Sequence, residues 1–120
     1  MLNNSKIWIV SDVDGTLMDH IYDLTPAKET IKWLQRLGIP VILCTSKTKS
    51  EVKIIREDLN INDPYIVENG GAIYGEYPDG KEWKIILGKS YTVLEKILNN
   101  LSENINFKLR PLNTLSDDEA

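Results

Sequence analysis

Ile7-Trp8-Ile9-Val10 is apolar throughout rather than alternating, as a strand inside a parallel sheet is. Two further apolar strands are predicted over 39–44 and 65–67, with Pro40 tolerable because it opens its strand. Between them the pattern changes to helical spacing. Thr25 is placed to cap a helix with Pro26 at its first position, Ala27, Ile31 and Leu34 share one face, and Gly38 ends it. Thr48-x-x-Glu51 is a capping-box signature for a second helix that turns Val52, Ile55 and Leu59 inward before residues 60–64 break it. Strand-helix-strand-helix-strand implies an α/β fold with right-handed crossovers and a doubly wound parallel sheet.

After Gly70-Gly71 the character changes. Two strands are expected over 72–74 and 83–87, joined by the turn-rich Tyr77-Pro78-Asp79-Gly80. A third helix starts at Ser90 and carries Val93, Leu94, Ile97, Leu98 and Leu101. Ile105, Phe107 and Leu109 alternate with polar residues and predict a strand with one wet face. Ser116-x-x-Glu119, with Asp117 and Asp118 between, announces a helix that one further residue cannot complete. The expectation is a chain that stops short of its domain: residues 1–88 as the N-terminal part of a core, residues 89–120 as the beginning of an α+β attachment.

Composition adds exclusions. With 120 residues, 42% apolar and 27% charged, the chain suits one core of common domain size. A net charge of -4 without a basic cluster argues against general nucleic-acid binding. No apolar run reaches the roughly 20 residues of a membrane span, and residues 1–6 hold no signal-peptide apolar stretch. A single cysteine, Cys44, excludes an intrachain disulfide, and a cytoplasmic protein is expected. Cys44 reads as a small buried residue, His20 has no ligand partner at metal-site spacing, and Trp8, Trp33 and Trp83 read as packing residues.

The chemistry-bearing residues fall at the predicted carboxyl ends of strands, where ligands of such sheets bind. Asp12 and Asp14, two residues apart at the exit of the first strand, are costly there unless a metal or strong hydrogen bonds keep them charged. Gly15 lets the backbone turn sharply beside them. Thr45, Ser46 and Lys47 follow the second strand and offer hydroxyls and a cation to a phosphoryl group, next to a helix N-terminus. Glu68, Asn69 and Gly70 follow the third, although Asn-Gly is also a common turn dipeptide. Asp117 and Asp118 are explained by helix capping rather than as a second metal pair.

The run Asp12-Val13-Asp14-Gly15-Thr16-Leu17 after an N-terminal strand resembles the first motif of the haloacid dehalogenase-like phosphohydrolases. Taken with Thr45-Ser46-Lys47-Thr48 and Glu68-Asn69-Gly70-Gly71-Ala72-Ile73, it is similar to their mannosyl-3-phosphoglycerate phosphatase subgroup, over essentially the whole chain. The passage 87–91, Leu-Gly-Lys-Ser-Tyr, resembles the entry to that subgroup's cap. The resemblance implies Asp12 as nucleophile and magnesium ligand, and Asp14 as acid/base whose backbone carbonyl also meets Mg²⁺. It implies Thr45 as the phosphoryl-holding hydroxyl, with Ser46, Lys47, Glu68, Asn69 and Gly70 toward a small sugar-phosphate substrate. The reaction implied is hydrolysis of mannosyl-3-phosphoglycerate to mannosylglycerate and phosphate.

The resemblance also calls for a third-motif lysine and a fourth-motif acidic pair, which nothing in this sequence matches. Three outcomes therefore stand beside the first reading: another capped sugar-phosphate phosphatase, a phosphomutase, or an inactive chain serving as a binding or assembly module. The first strand is expected to expose an unpaired edge, open to self-association or to a complementing C-terminal half.

Overall fold

The computed structural model describes residues 7–119. The chain divides into two compact units, Met1–Gly88 and Lys89–Ala120. The first unit holds one five-stranded sheet in the order β1 (Ile9–Ser11), β2 (Val41–Cys44), β3 (Tyr65–Val67), β4 (Ala72–Glu76), β5 (Glu82–Ile86). Helices α1 (Thr25–Arg36) and α2 (Lys49–Leu59) connect the first three strands. Those three run parallel, with Val10 opposite Ile42 and Leu43 opposite Tyr65. The last two turn back as antiparallel neighbours, because the short turns after β3 and β4 leave no length for a crossover.

Each helix starts where its residues dictate. Asp23 Oδ1 accepts the Thr25 amide at 2.9 Å, so Thr25 is the first helical residue of α1 rather than its cap, with Leu24 before it and Pro26 in the first turn. Thr48 and Glu51 form the reciprocal box at the start of α2: Glu51 Oε2 accepts the Thr48 amide at 2.8 Å, and the Thr48 hydroxyl accepts the Glu51 amide. Asn60, in left-handed geometry, ends that helix.

The core lies between helices and sheet. Val13, Ile31, Val41, Leu43, Val52, Tyr65 and Val67 are essentially inaccessible to solvent. Arg56 is buried as well, its guanidinium 4.3 Å from the centre of the Tyr65 ring and its Nη2 donating to the Asp63 carbonyl at 3.1 Å. Tyr65 stacks on Tyr74 with centroids 5.6 Å apart, and Lys49 Nζ lies 4.4 Å over Tyr74. A ladder of cation, ring, ring and cation thus joins α2 to β3 and β4. Lys49 and Lys53 both pair with Glu82 on β5. Gly75 faces Trp83 so closely that a Cβ there would sit 2.3 Å from the indole.

Glu51 is held below the ordinary glutamate value of 4.5, first by the Thr48 amide and then by its hydroxyl. Glu82 is lowered too, first by its hydrogen bond from Lys49. A carboxylate with a depressed folded-state pKa stabilises the fold above its unfolded value, and that contribution is lost as pH falls through the folded one. The urea midpoint is therefore expected to drop as pH goes below about 4.5, and Glu51→Gln to flatten part of that slope. An unchanged slope in the variant would remove Glu51 from the account.

The second unit is built on α3 (Tyr91–Asn104), capped by the Ser90 hydroxyl. The strand expected over 105–109 does not form. Asn106 turns the chain with a positive φ, and Ser102 Oγ donates to the Phe107 carbonyl at 2.6 Å and accepts the Leu109 amide at 2.9 Å. Local side-chain bonds tie that segment to the end of α3 instead of to a neighbouring strand. At 116–119 the capping contacts are present, with Glu119 Oε2 accepting the Ser116 amide at 3.1 Å, but the residues make a turn. Trp8 and Trp33 are more than half exposed, so neither is the core or partly buried packing residue expected, and Cys44 is half-buried. Among the described residues no helix is long and apolar enough to cross a membrane.

Candidate active site

Parallel pairing sets the ends of β1, β2 and β3 side by side, and the candidate residues follow those ends. After β1 the chain closes a tight loop around one carbonyl. Val13, wholly buried, accepts the amides of Thr16, Leu17 and Met18 at 3.2, 3.0 and 2.9 Å, while the Gly15 amide donates to the Met18 carbonyl at 2.8 Å. Gly15 has φ +73°, a conformation its missing Cβ permits. Fixing Val13 in the core leaves Asp12 and Asp14 exposed on either side of it.

Thr45, at the end of β2, is 3% exposed and fully engaged through its backbone. Its amide donates to the Ile66 carbonyl and its carbonyl accepts the Asn69 amide, both at 3.1 Å. Its Oγ1 accepts the Lys47 amide at 3.2 Å, which leaves the hydroxyl proton to be given to a ligand. Ser46 is exposed. Lys47 is largely covered, and its Nζ lies 3.2 Å from Asp14 Oδ1, so the loops after β1 and β2 meet through a charge pair. Thr48 serves α2 as its cap.

Glu68, Asn69 and Gly70 form one 3₁₀ turn with three consecutive positive φ values, +51°, +55° and +90°. Asn and Gly accept that geometry readily; for Glu68 it is strained, and such strain persists only where surrounding bonds over-determine it. Those bonds are present. The Glu68 amide donates to the Lys47 carbonyl at 3.0 Å, and the Asn69 amide to Thr45. Glu-Asn-Gly-Gly is legible as a turn from its residue types, but no sequence signal marks the strained Glu68 or the Lys47–Asp14 pair.

The Asp12 carboxylate and the Asp14 backbone carbonyl offer oxygens that could hold a hard cation. Among the described residues no three or more His, Cys, Asp or Glu gather into a metal-holding group. A separate groove of about 500 Å³ lies between α1 and the 15–23 loop, but Asp12, Asp14, Thr45 and Lys47 do not line it.

The chain belongs to the haloacid dehalogenase-like hydrolase family, whose model matches residues 9–118. Within it, the chain is 36% identical to a glucosyl-3-phosphoglycerate/mannosyl-3-phosphoglycerate phosphatase of Methanococcoides burtonii, over 84% of this chain and 42% of that protein. It is 32% identical to the protein of the same name from Persephonella marina, over 92% of this chain and 45% of that protein. The chain thus spans less than half the length of the curated relatives it matches. Among solved structures, a haloacid dehalogenase-like hydrolase from B. subtilis superposes with a TM-score of 0.60 at 27% identity, over 82% of this chain and 34% of that one. A Thermoplasma acidophilum protein gives 0.65 at 27% identity, over 92% and 47%.

Proposed function

We propose that this chain carries the nucleophile-bearing part of a magnesium-dependent sugar-phosphate phosphatase that hydrolyses mannosyl-3-phosphoglycerate. The observation that supports this best is the meeting of three strand ends: Asp12 and Asp14 after β1, Thr45 and Lys47 after β2, and the strained 68–70 turn after β3, with Lys47 3.2 Å from Asp14. The names of the two curated relatives point to the same substrate class.

In this reading an Asp12 carboxylate oxygen attacks phosphorus, and the bond from phosphorus to the glycerate oxygen breaks. Asp14, which enters the cycle protonated once Lys47 has turned to the phosphoryl group, delivers that proton to the departing alkoxide, giving mannosylglycerate and an aspartyl-phosphate. Asp14 then takes a proton from water as that water attacks phosphorus, which frees phosphate and restores Asp12. The Thr45 hydroxyl donates to a phosphoryl oxygen. Lys47 transfers its charge from Asp14 to the phosphoryl group as substrate enters, so that an Asp14 oxygen is freed for the leaving group. Glu68, Asn69 and Gly70 border the same substrate, with Ser46 beside them.

Mg²⁺ accepts one or two carboxylates and takes its remaining oxygens from other oxygen donors, water and substrate phosphate, so the Asp12 carboxylate with the Asp14 backbone carbonyl fits it. When bound, it offsets the repulsion between the Asp12 carboxylate and the phosphate.

The test is phosphate release from mannosyl-3-phosphoglycerate by the 120-residue chain with and without Mg²⁺, with Asp12→Asn alongside. Release that needs both Mg²⁺ and Asp12 is expected, from the chain alone or after mixing with the remaining part of a relative. A folded chain releasing no more than its Asp12→Asn variant, alone and after mixing with the remaining part of a relative, would sink the proposal. Mixing also tests β1, which lies at the sheet edge with Val10 57% exposed, as the place where such a part would pair.

A further inference from the structure

The boundary between the two units falls after Gly88. The last two residues before it hang on a single oxygen: the Gly71 carbonyl accepts the Leu87 and Gly88 amides, each at 2.9 Å. Gly71 follows the left-handed turn directly, and its own amide donates to the Glu68 carbonyl at 3.1 Å. From Glu68 the bonds continue to the Lys47 carbonyl, and from the Lys47 ammonium to Asp14.

Gly71 itself has φ -65°, which any residue adopts, so its backbone geometry does not require glycine. Space does. A Cβ on Gly71 would lie 3.2 Å from the Glu68 carbonyl oxygen and 3.4 Å from the Glu68 Cβ. Gly88 approaches the same point from the other side, since a Cβ built on it would be 3.5 Å from the Gly71 Cα. Two glycines therefore bring the exit of the first unit against the turn that borders the candidate site. The turn is strained at Glu68 and keeps its form only through its ties. Releasing a tie on one side of Gly71 should therefore loosen the other.

We propose that the Gly71 carbonyl is a conformational link: it couples the path of the chain at Leu87–Gly88 to the left-handed 68–70 turn and, through Glu68, to Lys47. This rests on the reading of Lys47 and the 68–70 turn as substrate contacts. Its coupling, however, can be measured without turnover, so its failure is separable from failure of the phosphatase reading.

The experiment is amide hydrogen exchange resolved by residue in the full chain. Gly88→Pro removes one of the two donors to the Gly71 carbonyl; Gly88→Ala keeps the donor and meets its neighbour at ordinary contact distance. Exchange at the Glu68 and Asn69 amides is expected to accelerate about five- to tenfold in Gly88→Pro, the loss of one ordinary hydrogen bond. Val52 and Ile55 in α2 should not change, and Gly88→Ala should match the parent. Unchanged exchange at Glu68 and Asn69 in folded Gly88→Pro overturns the proposal. Should that variant not fold, Gly71→Ala reads the coupling from the other end, because it displaces the Glu68 carbonyl without touching either donor. Faster exchange at Leu87 and Gly88 then supports the proposal, and faster exchange confined to Glu68 and Asn69 overturns it.

Discussion

Asp14→Asn is expected to lower steady-state phosphate release by about a thousandfold, in the range a positioned general acid/base supplies. The substitution keeps the shape of the side chain and leaves the Val13-centred loop intact, because that loop is held by backbone bonds to the Val13 carbonyl. What it removes is a proton that can be given and taken, together with the charge that Lys47 meets at 3.2 Å. The two half-reactions should suffer unequally. An aryl phosphate, whose leaving group needs little protonation, should still phosphorylate Asp12, and the intermediate should accumulate because no base activates water. Mass spectrometry of the acid-quenched chain checks this. A variant that turns over at the parental rate would exclude Asp14 from proton transfer; one that turns over slowly with no accumulated phosphoprotein would restrict it to the first step.

Leu43→Ala is the substitution expected to cost most in stability, about 3 kcal/mol. Leu43 is wholly buried on β2, and β2 is paired with β1 on one side and β3 on the other. Truncation leaves a void bounded by two strands that cannot close on it without breaking register. Against the 5–15 kcal/mol typical of a domain, a loss of that size is a large share. Ile54→Ala on the exposed side of α2, where the side chain is 69% accessible, should cost under about 0.5 kcal/mol. Urea denaturation of both variants decides it. Equal midpoints would mean that the sheet repacks around the missing methyl groups.

Much of this fold was legible because its signals are local. The Thr48–Glu51 box and the apolar face of α2 depend on residues within one or two turns, and each is where its spacing predicts, while the start of α1 differs from its prediction by one residue. The positions of Asp12, Thr45 and Glu68 at adjacent strand ends followed from the parallel order alone. What could not be read depends on partners distant in sequence. The Lys47–Asp14 pair joins loops more than thirty residues apart, and the left-handed Glu68 is imposed by amide bonds to Thr45 and Lys47 rather than by its own preference.

The alternation over 105–109 misled for a different reason. Period-two patterning says that a segment could lie on a sheet, not that a strand waits beside it, and the Ser102 hydroxyl took the backbone groups first. Arg56 was legible in principle. It lies four residues after Val52 and next to Ile55, on the side of α2 that faces inward, where the stem of an arginine packs as a hydrophobic side chain would.

The position of β1 has a consequence for how the molecule fails. Asp12 and Asp14 are mounted at the end of a three-residue strand that has β2 as its one strand neighbour among the described residues, while Thr45 and the 68–70 turn are anchored in the interior of the sheet. Edge elements open at lower free energy than the strands behind them. Heat or denaturant should therefore separate Asp12 and Asp14 from Thr45 and the 68–70 turn before the fold as a whole gives way, so that the grouping of these strand-end residues is the most fragile property of this protein and its compact core the most durable.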